Sequence, residues 1–247
     1  MRYLILSDIH ANSDALEAVL AAAPPETWDR AVVLGDLVGY GAEPNAVVDR
    51  VRALNPIAVI RGNHDKAASG IEDGSNFNSV ARLAAQWTAA TLTADNLAYL
   101  RALPPGPIAI DDRVEICHGT PFDEDHYIFD RSDADMALQS ASRPLCLFGH
   151  THLPAIFKVV EDIFDGDMPD PDRETVVPLQ RGARYLINVG SIGQPRDGDP
   201  RAGYGVLDDE ERHLRLFRVP YAVENAQQKI MAAGLPASLA NRLALGR

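Results

Sequence analysis

Cysteine is nearly missing from this sequence. The two that occur, Cys117 and Cys146, both sit inside apolar runs. They read as buried reduced thiols, and no disulfide framework of a secreted scaffold can be built from them. Long apolar runs are absent too: none approaches the ~20 residues of a membrane-spanning helix. The N-terminus enters a strand-like run with no basic leader ahead of it. These features point to a cytoplasmic protein. Basic residues are few, 23 Lys and Arg against 35 Asp and Glu, for a formal charge of −12. That balance excludes a general nucleic-acid binder, which needs a basic face. About half of the excess is local, because 161–174 holds Glu161, Asp162, Asp165, Asp167, Asp170, Asp172 and Glu174 against Arg173 alone. Such a run predicts a solvated loop. Neither a linker nor a low-complexity segment nor a solenoid repeat divides the chain. Residues 1–247 are expected to form a single domain, with a helical tail from 221 to 247 whose role, as a cover or as a contact in a homo-oligomer, stays open.

What is present is a series of short apolar runs, each ending in a polar cluster. Arg2 to Leu6 leads into Ser7-Asp8-Ile9-His10, Ala31 to Leu34 into Gly35-Asp36, and Ile57 to Ile60 into Arg61-Gly62-Asn63-His64-Asp65. Helical periodicity separates them over Asn12–Ala23 and Pro44–Leu54. Three β-then-helix units predict an α/β fold with its chemistry at the carboxyl ends of strands. Phe77 to Leu103 reads as two helices, with Val80, Leu83, Ala84 and Trp87 on one face and Thr93 capping the second; its aromatics are expected in the core. Further on, Ile108–Ile110 and Val114–Cys117 form a hairpin pattern, followed by His118-Gly119-Thr120-Pro121. A short helix is expected over Ser132–Ala141, and Ala155–Val160 is expected to pair with Val176–Leu179 across the acidic loop. Tyr185–Val189 is another strand, and Tyr204–Leu207 with Leu214–Val219 makes a last hairpin.

The most pointed stretch is Leu147-Phe148-Gly149-His150-Thr151-His152. In extended backbone, alternate side chains leave on one side, so His150 and His152 can point together past a strand's end. Asp8 and His10 repeat the spacing. Each residue alone has an ordinary reading, as a turn aspartate or a solvated histidine. Together, Asp8, His10, Asp36, Asn63, His118, His150 and His152 form an oxygen and imidazole set without thiolate, suited to Mn, Fe, Zn or Ni. Seven donors exceed what one ion takes from a protein, which points to two divalent ions with Asp36 as the bridging carboxylate.

The ordered set Asp8-x-His10, Gly35-Asp36, Gly62-Asn63-His64-Asp65, His118 and Gly149-His150-x-His152 resembles the calcineurin-like metallophosphoesterases. The run from Gly190 to Gly198 is similar to their small bacterial and archaeal branch, with its YfcE-type phosphodiesterases and diadenosine tetraphosphatase-like proteins. The resemblance implies a four-layer α-β-β-α sandwich of two mixed sheets flanked by helices. It implies that Asp8, His10, Asp36 and His152 hold one metal and that Asp36, Asn63, His118 and His150 hold the other. His64 would stabilise the phosphoryl charge or protonate the leaving oxygen, and a metal-bridging hydroxide would attack in line. The implied activity is hydrolysis of a small phosphomonoester or phosphodiester, with nucleotides and dinucleoside polyphosphates among the candidates. Protein Ser/Thr phosphatases of the family have Asp-Arg where Gly39-Tyr40 stands and Glu where Asp65 stands, which weighs against that alternative. A catalytically idle scaffold is the other alternative, weakened because no motif residue is missing. With the phosphatase arginine absent, Arg61, Arg196 and Arg201 are the candidates to grip phosphate, and Arg196 is favoured for its Gly-rich loop.

Overall fold

A computed structural model of the chain describes residues 1–170 and 174–247. In chain order the strands are β1 (Arg2–Leu6), β2 (Arg30–Val33), β3 (Ala58–Val59), β4 (Ile108–Ala109), β5 (Val114–Ile116), β6 (Leu145–Phe148), β7 (Ala155–Val160), β8 (Ile163–Asp167), β9 (Thr175–Pro178), β10 (Arg184–Asn188), β11 (Ala202–Asp208) and β12 (His213–Val219). The helices are α1 (Ser13–Ala22), α2 (Pro44–Ala53), α3 (Asn63–Ser69), α4 (Ser79–Thr91), α5 (Ala94–Ala102), α6 (Arg131–Ser140), α7 (Val223–Ala232) and α8 (Ala237–Leu243).

The strands form two mixed sheets of six, ordered β3-β2-β1-β11-β12-β9 and β4-β5-β6-β10-β7-β8. Alternation along β1 shows why they stack. Ile5 faces the second sheet, meeting Val32, Leu34, Ile116, Leu147 and Ile187 in a core between the sheets. Leu4 and Leu6 face outward onto Leu16 and Val19 of α1 and Val47 and Val51 of α2. On the far side, Cys146, Phe148 and Leu186 pack under Ala134, Ala137 and Leu138 of α6. Strands buried on both faces read as continuous apolar runs, which is what β1, β2 and β6 are. Each buried Leu or Ile contributes roughly 1.5–3 kcal/mol. The result is the expected four-layer sandwich.

Local signals set several boundaries. The Asn12 side chain caps α1 through the Ala15 amide at 3.1 Å, and the Thr93 hydroxyl accepts from Asn96 at the start of α5. The parallel strands β1, β2, β3, β5, β6 and β10 all end in loops that meet at one rim of the sandwich, which is where the polar clusters lie.

Three expectations need correction. The acidic stretch is not all loop: Glu161 and Asp162 both have positive φ, 49° and 63°, the geometry of a tight hairpin turn. That turn folds β8 back on β7, so β7 pairs with β8 and not with 176–179. The segment β9 joins the other sheet instead, beside β12. Pro171, Asp172 and Arg173 of the acidic run lie outside the described residues. Leu83, expected in the core, is 54% exposed because α4 turns Ala81, Ala84 and Ala85 inward. Phe77, expected in the core, does pack against the cluster around Tyr40, with its ring 4.6 Å from that of His64.

The tail folds into α7 and α8, which pack with Ala81 and Ala84 of α4 around Tyr40. Lys229 of α7 ties it to Asp14 at 2.8 Å and Glu43 at 2.7 Å. The C-terminal helices therefore cover the sandwich beside the rim.

Candidate metal centre

The loops leaving the strands do not continue as extended chain. Asp8, His10, Ala11, Asp36, His150 and His152 all have left-handed backbone, with φ between 50° and 66°. The alternation argument for His150 and His152 is thus corrected: β6 stops at Phe148, and the pair is placed by two left-handed residues. Such conformations cost roughly 1–3 kcal/mol each and persist only where the surroundings fix them. Here backbone bonds between loops do so. His10 N–H donates to Asp36 O at 3.0 Å, Ala11 N–H to Leu37 O at 2.9 Å, and Gly149 N–H to His118 O at 2.9 Å. The Asn188 amide holds the turn after β6, donating to Gly149 O at 2.8 Å and to the Thr151 hydroxyl at 3.1 Å.

Two groups of donors result, each with its ligand atoms within 4.8 Å of one another: Asp8, His10, Asp36 and His152, and Asp36, His118 and His150. Asp36 belongs to both. His150 and His152, adjacent in sequence, fall in different groups, and Thr151 turns to Asn188 between them. Asn63 sits beside the second group, its Oδ1 3.3 Å from His118 Nε2.

The imidazoles are oriented from behind. His10 Nδ1 bonds Val38 O at 3.1 Å, His118 Nδ1 bonds Leu34 O at 2.8 Å, and His152 Nδ1 bonds Gln194 O at 2.6 Å. A carbonyl accepts only, so each of these rings carries a proton on Nδ1 and turns its Nε2 toward the centre, the usual support for a ligating histidine. His10 Nε2 and His152 Nε2 then face each other at 3.0 Å, two acceptors with nothing between them to share. A cation suits that gap. His150 differs: its Nε2 lies 2.9 Å from Asp125 O, so Nδ1 is the acceptor it has left.

Electrostatics agree. Asp8, His10, Asp36, His118 and His152 are each at most 1% exposed, a density of ionisable groups that burial penalises unless a charge compensates. Burial drives His10 and His152 well below the usual imidazole range, and it lowers His64 to about 4 and His150 to about 3. These rings are neutral and fit to ligate. Burial opposes the charge on Asp36, but His118 and His64 hold its carboxyl well below the carboxylate range. His118 is the exception among the imidazoles. Burial opposes its charge, yet Asp36 and Asp8 raise it to about 10. Burial and Asp36 push Asp65 up to about 7. That residue accepts from Val38 N–H at 3.1 Å and Gly62 N–H at 3.0 Å, stapling the loop after Asp36 to the start of α3.

His64 lies at the edge of the centre. Its backbone N–H donates to Asp36 Oδ1 at 2.9 Å, and its ring is boxed by Tyr40 at 4.2 Å, Phe77 at 4.6 Å and His10 at 5.0 Å. Its Nδ1 is buried without a partner. Gly39, at φ 90°, passes so close that a Cβ there would meet His64 Nδ1 at 2.5 Å. The glycine standing where phosphatases have Asp is thus required by the ring beside it. From the His64 side a cleft of about 300 Å³ opens, lined in part by Asn63, Asn76, Phe77, Tyr127 and His150. Tyr127 covers His150 with ring centroids 3.7 Å apart.

Of the three arginines expected to grip phosphate, two are committed elsewhere. Arg61 forks onto Glu124 at 2.9 and 3.1 Å, and Arg201 onto Asp199 at 2.7 to 3.1 Å. Arg196 is at the centre: its guanidinium lies 6.0 Å from the Tyr40 ring centroid and faces the Tyr127 hydroxyl, and its charge disfavours protonation of His10, His64 and His152. Tyr40, Tyr127 and Phe77 carry no motif, and sequence reasoning missed them as site walls. It also missed Arg242 of α8, whose guanidinium lies 5.7 Å from the same Tyr40 ring.

With this geometry in hand, the comparisons are consistent. A family model described as the calcineurin-like phosphoesterase superfamily domain matches residues 1–212. An uncharacterized protein of Methanocaldococcus jannaschii, MJ0912, is 33% identical over 250 residues, covering 98% of this chain and 97% of its own. The crystal structure of a metallophosphoesterase from Sphaerobacter thermophilus matches with a TM-score of 0.87 at 39% identity, covering 100% of both chains. The hypothetical protein PH1004 from Pyrococcus horikoshii shares the fold, with a TM-score of 0.81 at 19% identity over 100% of this chain and 98% of that one.

Proposed function

The chain belongs to the calcineurin-like phosphoesterase superfamily, and from that premise we propose that it is a two-metal phosphoesterase hydrolysing a small phosphate ester. One observation carries the reading. Three imidazoles, His10, His118 and His152, are each pinned through Nδ1 to a backbone carbonyl, so that their Nε2 atoms converge around the carboxylates of Asp36 and Asp8. Asp8, His10, Asp36 and His152 would hold one ion. Asp36, Asn63, His118 and His150 would hold the second. Bound divalent ions supply activation of a water and neutralisation of the phosphoryl oxygens.

The protein's own groups do the rest. Arg196 brings a phosphate-binding guanidinium to the centre from the loop after β10, its Nε buried and without a partner among the described residues. Neutral His64, packed beside Asp36, would pass or hold a proton at the leaving oxygen. Phe77, Tyr40 and Tyr127 wall the cleft and exclude water from the reacting phosphorus. Tyr40 in place of the phosphatase arginine, with Gly39 pressed against His64, favours this reading over a protein Ser/Thr phosphatase. An intact donor set weighs against an idle scaffold.

The test is hydrolysis of 4-nitrophenyl phosphate and bis(4-nitrophenyl) phosphate by protein supplemented in turn with manganese, iron, zinc and nickel. Turnover of at least one ester, abolished by chelation and restored by metal, is expected. No turnover with any ion, in protein that demonstrably binds two, would favour the scaffold.

A further inference from the structure

We propose that Arg242, delivered by α8, forms with Arg196 an anion subsite on the leaving-group side of the centre, so that preferred substrates carry a second phosphate there. The proposal deepens the phosphoesterase reading and rests on it. The family model ends at residue 212, so the helix that brings Arg242 lies past the part of the chain it describes.

The two guanidiniums both approach the Tyr40 ring. They lie 6.0 and 5.7 Å from the centroid of the Tyr40 ring, which packs 4.2 Å from His64 and 4.8 Å from His10. Neither has a carboxylate partner among the described residues. By contrast, Arg2, Arg50, Arg52, Arg61, Arg113 and Arg218 each pair with an acid. Arg196 has Gln194 Oε1 at 3.2 Å and the Tyr127 hydroxyl as its company, with its Nε buried and unpartnered. Arg242 gives its Nε to the Arg247 carbonyl at 2.5 Å, and among the described residues both terminal amino groups of the fork are uncommitted.

Two like charges brought together without a counter-ion disfavour each other, and the fold accepts that cost beside the reacting centre. Burial and the Arg196 charge both act against the charged form of Arg242. A phosphate placed between the forks removes the repulsion and meets donors with matching geometry. The side is set by His64. Arg242 approaches the Tyr40 ring against which His64 packs, and on the proposed reading His64 serves the departing oxygen. An anion held by Arg242 therefore belongs to the leaving group and not to the phosphoryl group being attacked.

The substrate class that fits is a phosphoanhydride or a leaving alcohol that is itself phosphorylated. In the anhydride case the oxygen of water bonds to the scissile phosphorus and the bridging P–O bond breaks. The departing phosphate keeps the bridging oxygen and its electron pair, and the protons of water are shared between the two products. No oxidant or further reactant is needed.

The experiment compares wild type with Arg242→Gln and Arg242→Lys, each loaded with manganese. Calorimetry measures binding of orthophosphate and of imidodiphosphate, a hydrolysis-resistant diphosphate, and 4-nitrophenyl phosphate reports turnover separately. Wild type is expected to prefer imidodiphosphate by about tenfold or more, one charge-assisted contact's worth. In Arg242→Gln that preference should fall by about tenfold, with partial recovery in Arg242→Lys. An unchanged preference, or equal losses on both ligands, overturns the subsite. Failure to turn over both 4-nitrophenyl phosphate and bis(4-nitrophenyl) phosphate with every metal overturns the phosphoesterase reading, and the binding ratio still reports on the arginine pair by itself. Thermal melting of Arg242→Gln within a few degrees of wild type separates a lost contact from a displaced helix.

Discussion

The two halves of the candidate centre share Asp36 but are built differently. Asp8, His10 and His152 all stand on left-handed backbone and are shut away from water. His10 and His152 face each other Nε2 to Nε2. The other half is open. Asn63 and His150 line the cleft, Tyr127 lies over His150, and the Asp125 carbonyl occupies a ring nitrogen of His150. The closed half is prepaid in backbone strain and rigidly set. The open half keeps a side available to substrate. On the two-metal proposal, an ion in the first would be held chiefly by the protein, whereas one in the second would also be within reach of what the cleft admits.

Removing the shared carboxylate should have the largest effect. Asp36→Ala is expected to lose both ions and to lower kcat by on the order of 10³ or more. His152→Ala and His150→Ala should each lose one ion, the first from the closed half and the second from the open half. Metal content per chain, measured by elemental analysis after dialysis, reads the difference directly. An Asp36→Ala protein that keeps two ions would break the idea that the halves share this residue.

Much of this was legible in advance because the elements that carry the chemistry announce themselves locally. An apolar run that ends in Asp-x-His or Gly-His-x-His marks a strand end and a donor set together, and β1, β2 and β6 were readable for that reason. The backbone there was not. Alternation predicts convergence of Asp8 with His10 and of His150 with His152 in extended chain, whereas left-handed residues set all four. The partition of His150 and His152 came from the family resemblance, not from spacing. The turn at Glu161-Asp162 was hidden because two acids in a row read as solvated loop, so β8 was missed and β9 was given the wrong neighbour. Arg242 had no local signal: its meaning depends on a tail helix crossing to Tyr40, a contact 202 positions back along the chain.

The box around His64 sharpens the comparison at a smaller scale, because it touches the centre without contributing a ligand. Gly39→Ala forces a Cβ into the His64 ring at left-handed φ. The strain is roughly 1–2 kcal/mol before any clash is relieved, a fall in melting temperature of about 2–8 °C for a chain of this size. Turnover should drop by about 10- to 100-fold, the range of a misplaced proton-transfer group, while both ions stay bound. Loss of metal from Gly39→Ala would show instead that the Asp36 loop and the His64 box are one unit.

The smallest effect is expected at the rim of the open half. Glu124 there takes the fork of Arg61 and accepts from Lys66 Nζ at 3.2 Å, and Lys66 is itself 1% exposed. The Glu124 side chain is 19% exposed, so water screens these contacts little. Burial opposes its charge, but Arg61 and Lys66 prevail and hold the carboxyl below the ordinary 4.5. The unfolded chain therefore takes up this proton at a higher pH than the folded chain does. The stabilisation is complete above 4.5 and is lost as pH falls through the lower folded value. Glu124→Gln should cost about 1–2 kcal/mol at neutral pH, since Lys66 keeps Glu72 and Asp125 as partners. The gap to wild type should narrow as the pH is taken below 4.5. A gap independent of pH would mean that shape, not charge, holds this loop. Because the next residue's carbonyl restrains His150, the variant should also bind the ion of the open half with altered affinity and leave the closed half untouched, which a two-step metal titration resolves.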